Sequence, residues 1–343
     1  MCGYYSSMAC WWGEKRRGFE PALLLGVVLV LWGLVVLVYA RQEIARGCIV
    51  SAVGAVIWFT ADQTSRPPIK GVCPNRMLST TRPLLICLGD SLTHGHCSAS
   101  VVDRILPSLV RQLGSDVKLG IVNAGQNNIC SWTIYNKRMM EVLQTDPDYV
   151  LVWIGTNDVC SIHKKWWSMQ REFMWQLPEP PTLEGLETNV RGIVETLLNH
   201  SAHLQVGLCT LPPMGEVLTQ PANQVVRKAN VVLTRISQSS GDRCTLIPVY
   251  DSLERSICSS EIRGWKPSAD YFLGISIVMG VLHHVGGFSW NALSRLLGNS
   301  VMSDSLHLNE RGADIVANTV TEWLLAKGIS PDNKATTRSK KSR

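Results

Sequence analysis

The sequence predicts an α/β domain, a parallel β-sheet covered by helices on both faces, preceded by one or two apolar membrane segments. Three observations lead there. Five short runs, at 84–88, 117–122, 149–154, 204–211 and 245–249, are mostly apolar rather than alternating, as strands buried on both faces are. Segments of helical periodicity separate them, and strands that alternate with helices pair in parallel. Near the start, residues 22–40 run for 19 positions without a charge, long enough to cross a bilayer as a helix.

Taken in order, Lys15, Arg16 and Arg17 precede the first apolar run, like the cytosolic flank of a signal anchor. Val38-Tyr39-Ala40 also fits a small-residue cleavage site, although the long apolar run argues against cleavage. A second apolar stretch, 47–61, comes after six residues. If both segments span, the rest of the chain returns to the side of the N-terminus; if only the first does, it lies opposite. Residues 63–82, with three prolines, read as a linker. Helices are expected at 99–113, 133–143, 183–199 and 222–236 between the strands, and at 310–327 after them. Two intervals break the rhythm: 163–181, dense in aromatic and basic residues, and 271–290, apolar with paired histidines. The expected organisation is therefore a tail and membrane anchor at 1–62, the linker at 63–82, one domain at 83–327 and a basic, disordered tail at 328–343.

Composition narrows the function. Of 343 residues, 45% are hydrophobic and 17% charged, which suits a globular core plus a membrane part. The net charge of +6 is concentrated at the two ends. No basic stripe interleaved with aromatics occurs, so nucleic acid is not an expected partner. Eleven cysteines are scattered without a C-x-x-C or a Cys/His cluster of zinc spacing, so neither a disulfide framework nor a metal site is read from them.

The chemistry lies at the strand ends. The first strand runs into Gly89-Asp90-Ser91-Leu92, the second into a stretch with Gly125 at its tip, the third into a stretch with Asn157 at its tip. Before the last helix, Asp304 and His307 stand three apart. Each piece alone is ordinary turn or cap material. Together they supply every part of an acyl-transfer site. A serine hydroxyl is a poor nucleophile until an imidazole takes its proton. The imidazole needs a carboxylate to fix its tautomer and steady its charge. A tetrahedral oxyanion needs donors already in place. Ser91 is then the expected nucleophile, His307 the base and Asp304 its orienter. The Ser91 and Gly125 N–H groups and the Asn157 amide are the expected oxyanion hole. A side chain at 125 would block the acyl oxygen. Ligands of parallel sheets bind at the carboxyl ends of the strands, where these residues converge.

The blocks "GDSL" at 89–92, "NAG" at 123–125, "GTND" at 155–158 and Asp-x-x-His at 304–307 resemble, in order, the four sequence blocks of the SGNH, or GDSL, hydrolases. The resemblance covers residues 83–327. It implies a three-layer α/β/α, flavodoxin-like domain and ester hydrolysis through an acyl-enzyme, and it assigns the five residues the roles given above. Thr93 stands where a G-x-S-x-G elbow needs glycine, which disfavours the other common α/β lipase fold.

The remaining polar residues near these blocks read more blandly. His94 and His96 are expected to line the cleft, His283 and His284 to be structural, and Asp90 and Asp158 to support their loops. Nothing in the sequence makes Cys97 or Cys160 a nucleophile. Three readings are open for 163–181: a core-covering insertion, an acyl-binding wall, or an interfacial helix. The interfacial form puts Trp166, Trp167, Phe173 and Trp175 at headgroup level and Lys164, Lys165 and Arg171 outside. The stretch 271–285 is short for a span and reads as a lid or wall over the cleft. The whole reads as a membrane-anchored serine ester hydrolase, without metal or cofactor, acting on a lipid-like or acylated ester. The alternatives are an O-acetylesterase or acyltransferase on glycans, or a catalytically silent binding domain. The sequence leaves open the oligomeric state, the acyl chain, the alcohol, and the side of the membrane the domain faces.

Overall fold

The structure is a computed structural model that describes residues 28–34, 53–56, 83–95, 98–262 and 264–331. The chain divides into two compact units, one of residues 67–275 and 288–343, the other of 1–66 and 276–287. The larger holds a five-stranded sheet of β1 (Leu84–Gly89), β2 (Gly120–Gly125), β3 (Tyr149–Trp153), β4 (Gln205–Cys209) and β5 (Cys244–Ile247). All four pairings are parallel, in the order β2-β1-β3-β4-β5. That is the flavodoxin-like order, which places ligands where the winding reverses, at the carboxyl ends of β1 and β3.

The apolar strands are buried because both sheet faces are covered. Side chains alternate across a strand, so Leu84, Ile86, Leu88, Val150, Val152, Val206 and Leu208 share one face and one core with Val190, Ile193 and Val226. The helices Leu183–His200 and Pro221–Ser239 supply that layer. On the other face, Trp323 of the helix Glu310–Ala326 lies edge-on to Tyr149, with 5.9 Å between ring centroids. Trp323 also lies where a side chain at Gly207 would go. The helices Val102–Leu113 and Val249–Cys258 pack beside it. Each fully buried Leu or Ile contributes about 1.5–3 kcal/mol of transfer free energy, so the sheet is the stable platform of the unit.

The 163–181 interval contains the helix Lys165–Trp175. An interfacial helix would hold Trp167 at headgroup level and Arg171 outside. Both are buried instead, Arg171 to 1% exposure, because the helix packs against the helix Thr156–His163 that carries Asn157. Its opposite face, Trp166, Met169 and Phe173, is exposed.

The smaller unit is helical at residues 28–34 and 53–56. Both stretches fall inside the apolar segments 22–40 and 47–61, whose other residues lie outside the described ones. Among the described residues no helix is long and apolar enough to cross a membrane, so the expected spans find no support there. The helix Phe272–His284 has 13 residues. At about 1.5 Å per residue it falls short of a hydrocarbon core of about 30 Å. His96, Cys97, the linker up to residue 82 and the tail from 332 also lie outside the described residues.

Candidate active site

β1 delivers Ser91 to the rim of the sheet. The strand ends at Gly89, where any side chain would collide with the Trp153 carbonyl and the Thr93 side chain. Asp90 then caps the short helix Ser91–His94, its Oδ1 accepting from the Leu92 N–H at 3.0 Å. The Ser91 N–H lies in the first helical turn, where the helix itself supplies no acceptor.

The imidazole comes from the loop before the last helix. Met302 and Leu308 form an antiparallel bridge, and the Ser303 N–H donates to the His307 carbonyl at 2.8 Å. Inside that turn, Asp304 Oδ1 accepts from the backbone N–H groups of Leu306 and His307, both at 2.6 Å. Its Oδ2 lies 2.8 Å from His307 Nδ1, and His307 Nε2 lies 3.1 Å from Ser91 Oγ. A carboxylate facing Nδ1 fixes the proton there and leaves Nε2 to accept from the serine. Asp304 and His307 are buried and Ser91 is half-buried.

Burial works against a charged imidazole at His307. The Asp304 carboxylate, by its charge and its hydrogen bond, and the charge of Asp90 outweigh it, so the His307 pKa is held above its ordinary value. Burial pushes the Asp90 carboxyl up to about 7, against the pull of the Leu92 N–H and of His307. The Asp158 carboxyl is raised by burial too, and is partly offset by the Ser131 N–H and hydroxyl, which donate to it at 3.0 and 2.7 Å, and by the Arg171 charge. Asp90 and Asp158 thus brace their loops, as their positions suggested. His94 is buried. The Cys160 thiol is buried and pushed up to about 11, so it is no thiolate at neutral pH.

The tips of β2 and β3 flank that of β1, with Gly125 and Trp153 both level with Gly89. Asn157, four residues past Trp153, has its side-chain Nδ2 donating to the Ile129 carbonyl at 2.8 Å, which leaves one N–H on that amide. Gly125 differs from expectation in two ways. Its N–H donates to Asn123 Oδ1 at 2.9 Å, so that donor is engaged here. A side chain at 125 would strike the backbone of Thr93 and His94 rather than an open site. The glycine is needed for close packing of the Ser91 helix on β2. Among the described residues no group of His, Cys, Asp and Glu converges as metal ligands.

Three residues of the site were not picked out from the sequence. Arg171 donates through Nη2 to Asn157 Oδ1 at 2.7 Å. Buried Glu216 accepts from the N–H groups of Ser300, Val301 and Met302 and from the Ser300 hydroxyl, at 2.7–3.1 Å. Asn123, besides receiving the Gly125 N–H, donates to the Thr93 and His94 carbonyls. Only Asn123 left a trace, as the first residue of its block.

A search of curated proteins matched none. Among solved structures, a variant of the acetyl-xylooligosaccharide esterase Axe2 from Geobacillus stearothermophilus superposes with a TM-score of 0.51 and 14% identity, over 72% of this chain and 95% of that one. A catalytic mutant of the same acetylxylan esterase gives 0.50 and 14%, over 73% and 96%. At that identity the likeness is one of fold. The model of the GDSL-like lipase/acylhydrolase family matches residues 87–315, about two thirds of the chain and every block that supplies the site, and the chain belongs to that family of carboxylic ester hydrolases.

Proposed function

We propose that Ser91 is the nucleophile, His307 the general base and Asp304 its orienter. In this reading Ser91 Oγ attacks the ester carbonyl while its proton passes to His307 Nε2. The resulting imidazolium, steadied by Asp304, protonates the departing alcohol. Water then attacks the acyl-Ser91 ester, again losing a proton to His307, which passes it on to Ser91 Oγ as the acid leaves. The Ser91 N–H and the remaining Asn157 N–H face the oxyanion, where losing one donor costs about 100- to 1000-fold in rate. The observation that carries the reading is the file of Ser91, His307 and Asp304, with contacts of 3.1 and 2.8 Å between residues as much as 216 positions apart. A fluorophosphonate probe tests it. The wild type is expected to label and Ser91→Ala not to; a folded wild-type protein that stays unlabelled would leave a binding domain instead.

For substrate, the reading is a lipid-like or acylated ester met at a membrane that the 22–40 segment anchors. The 19 uncharged residues of that segment and the exposed Trp166, Met169 and Phe173 face support it. The second reading, an acetyl ester on a glycan, is favoured by the shared fold with acetylxylan esterases. A panel of esters from acetate to palmitate decides. Rates that rise with chain length support the first reading, and activity confined to acetate supports the second.

A further inference from the structure

The helix Lys165–Trp175 holds a buried cation against the one side-chain donor of the oxyanion hole. Asn157 sits between two groups of opposite character. On one side is the Ile129 carbonyl, which can only accept, 2.8 Å from Nδ2. On the other is the Arg171 guanidinium, which can only donate, 2.7 Å from Oδ1. An asparagine amide satisfies both in a single orientation, and that orientation leaves its second N–H for an oxyanion. We infer that Arg171 is a positioning residue for the oxyanion hole, locking and polarising the Asn157 amide.

The other hydrogen bonds of Arg171, from Nη1 to Ser161 Oγ and to the Trp167 carbonyl, are longer, both 3.4 Å. Arg171 is 1% exposed, and its guanidinium lies over the Trp167 ring at 5.2 Å. In such a low-dielectric place a charge-assisted hydrogen bond is strong and its geometry fixed. A positive charge on the amide oxygen draws electron density from Nδ2 and makes its N–H a better donor to a developing negative charge. The same helix also braces the neighbouring loop. Trp175 Nε1 donates to the Asn128 carbonyl at 2.7 Å, and the Asn128 side chain reaches Met174 Sδ at 3.3 Å. The insertion thus holds both the Asn157 helix and the loop whose Ile129 carbonyl completes the clamp.

The inference rests on the esterase reading above, and its test separates the two. In the full chain, Arg171→Met is expected to lower kcat about 10- to 100-fold, equally on acetate and octanoate esters, with KM nearly unchanged. In an Asn157→Ala background the same replacement is expected to change kcat less than about twofold, because its target is gone. An unchanged kcat, or the same loss in both backgrounds, overturns the inference. So does a loss confined to octanoate, which would make the helix an acyl-binding wall. Should Arg171→Met fail to fold, Arg171→Lys keeps the buried charge without the planar fork. It is then expected to lower kcat severalfold in the wild-type background only, and no such difference overturns the inference. A readout free of activity completes the test. With ¹⁵N-asparagine labelling, the Asn157 side-chain amide, identified by its absence in Asn157→Ala, is expected to shift in Arg171→Lys, and an unmoved pair of resonances overturns the inference. A wild type that neither hydrolyses esters nor labels sinks the esterase reading, whereas the amide shift judges the clamp alone.

Discussion

At the residue, His307 sets opposed demands on pH. Its folded pKa lies above the ordinary 6.5 because Asp304 and Asp90 together outweigh burial. A raised pKa means that protonation favours the folded state. That contribution is whole below about 6.5 and is lost as pH rises through the folded value. The proposed mechanism needs the neutral imidazole, so activity is expected to grow over the interval in which this stability is lost. The Asp90 carboxyl, pushed up to about 7, acts in the same direction, since its ionisation leaves a charge buried. The acidic limb of kcat/KM for an ester is therefore expected to have its midpoint above 6.5. In Asp304→Asn that midpoint is expected to fall, and kcat to drop on the order of 10³- to 10⁴-fold, because the amide can hold the wrong tautomer. Thermal denaturation across pH 5–9 checks the other half: wild-type stability should decline through neutrality more steeply than that of Asp304→Asn. A midpoint at or below 6.5 in the wild type would contradict this account.

At the element, the loop before the last helix depends on one carboxylate from another loop. Glu216 accepts three consecutive backbone N–H groups at Ser300, Val301 and Met302, and Lys266 Nζ lies 3.6 Å from it. The 299–304 turn has little regular structure of its own to satisfy those donors, and each left unpaired costs about 1–3 kcal/mol. Glu216→Ala is expected to lower stability by several times that unit and to cost labelling of Ser91. Glu216→Gln keeps one accepting oxygen and is expected to fall between, by about 2 kcal/mol, with kcat reduced more than KM. Urea denaturation and ester kinetics on the same samples check both, and a Glu216→Gln protein of wild-type stability would show the clamp to be idle. Why this residue and Arg171 escaped the sequence is physical. Ser91 and the Asp304–His307 pair sit in short blocks whose spacing states their chemistry. Glu216 acts 84 positions away on bare backbone, which has no residue signature. Arg171 lies 14 positions from its amide on the next helix, in a segment whose other charges are surface ones. A buried arginine and an exposed one look alike in a sequence.

At the scale of the molecule, the sheet was legible because both of its faces are covered, which makes most strand positions apolar. β2 was displaced: expected at 117–122, it runs from Gly120 to Gly125. Val117 and Leu119 are buried without being strand, while polar Asn123 disguises the true end. The helices Thr156–His163 and Trp290–Leu296 are too short to show a period. The strand order is set by long-range pairing and has no local mark. Hydropathy carries the remaining question, whether the chain is held at a bilayer. Leu31 and Leu34 fall near the middle of the 22–40 segment, both exposed in the described helical stretch 28–34. An arginine at the centre of a span costs about 2.5–3.5 kcal/mol, so two together oppose insertion by more than most single segments gain. The wild type is expected to stay in the membrane pellet after alkaline carbonate extraction. The Leu31→Arg, Leu34→Arg protein is expected to move to the supernatant and still label with fluorophosphonate, since Ser91, His307 and Asp304 all lie in the larger unit. A wild type found in the supernatant would remove the anchor from the proposal and leave the esterase standing. A double variant still in the pellet would assign the membrane contact to residues other than 22–40.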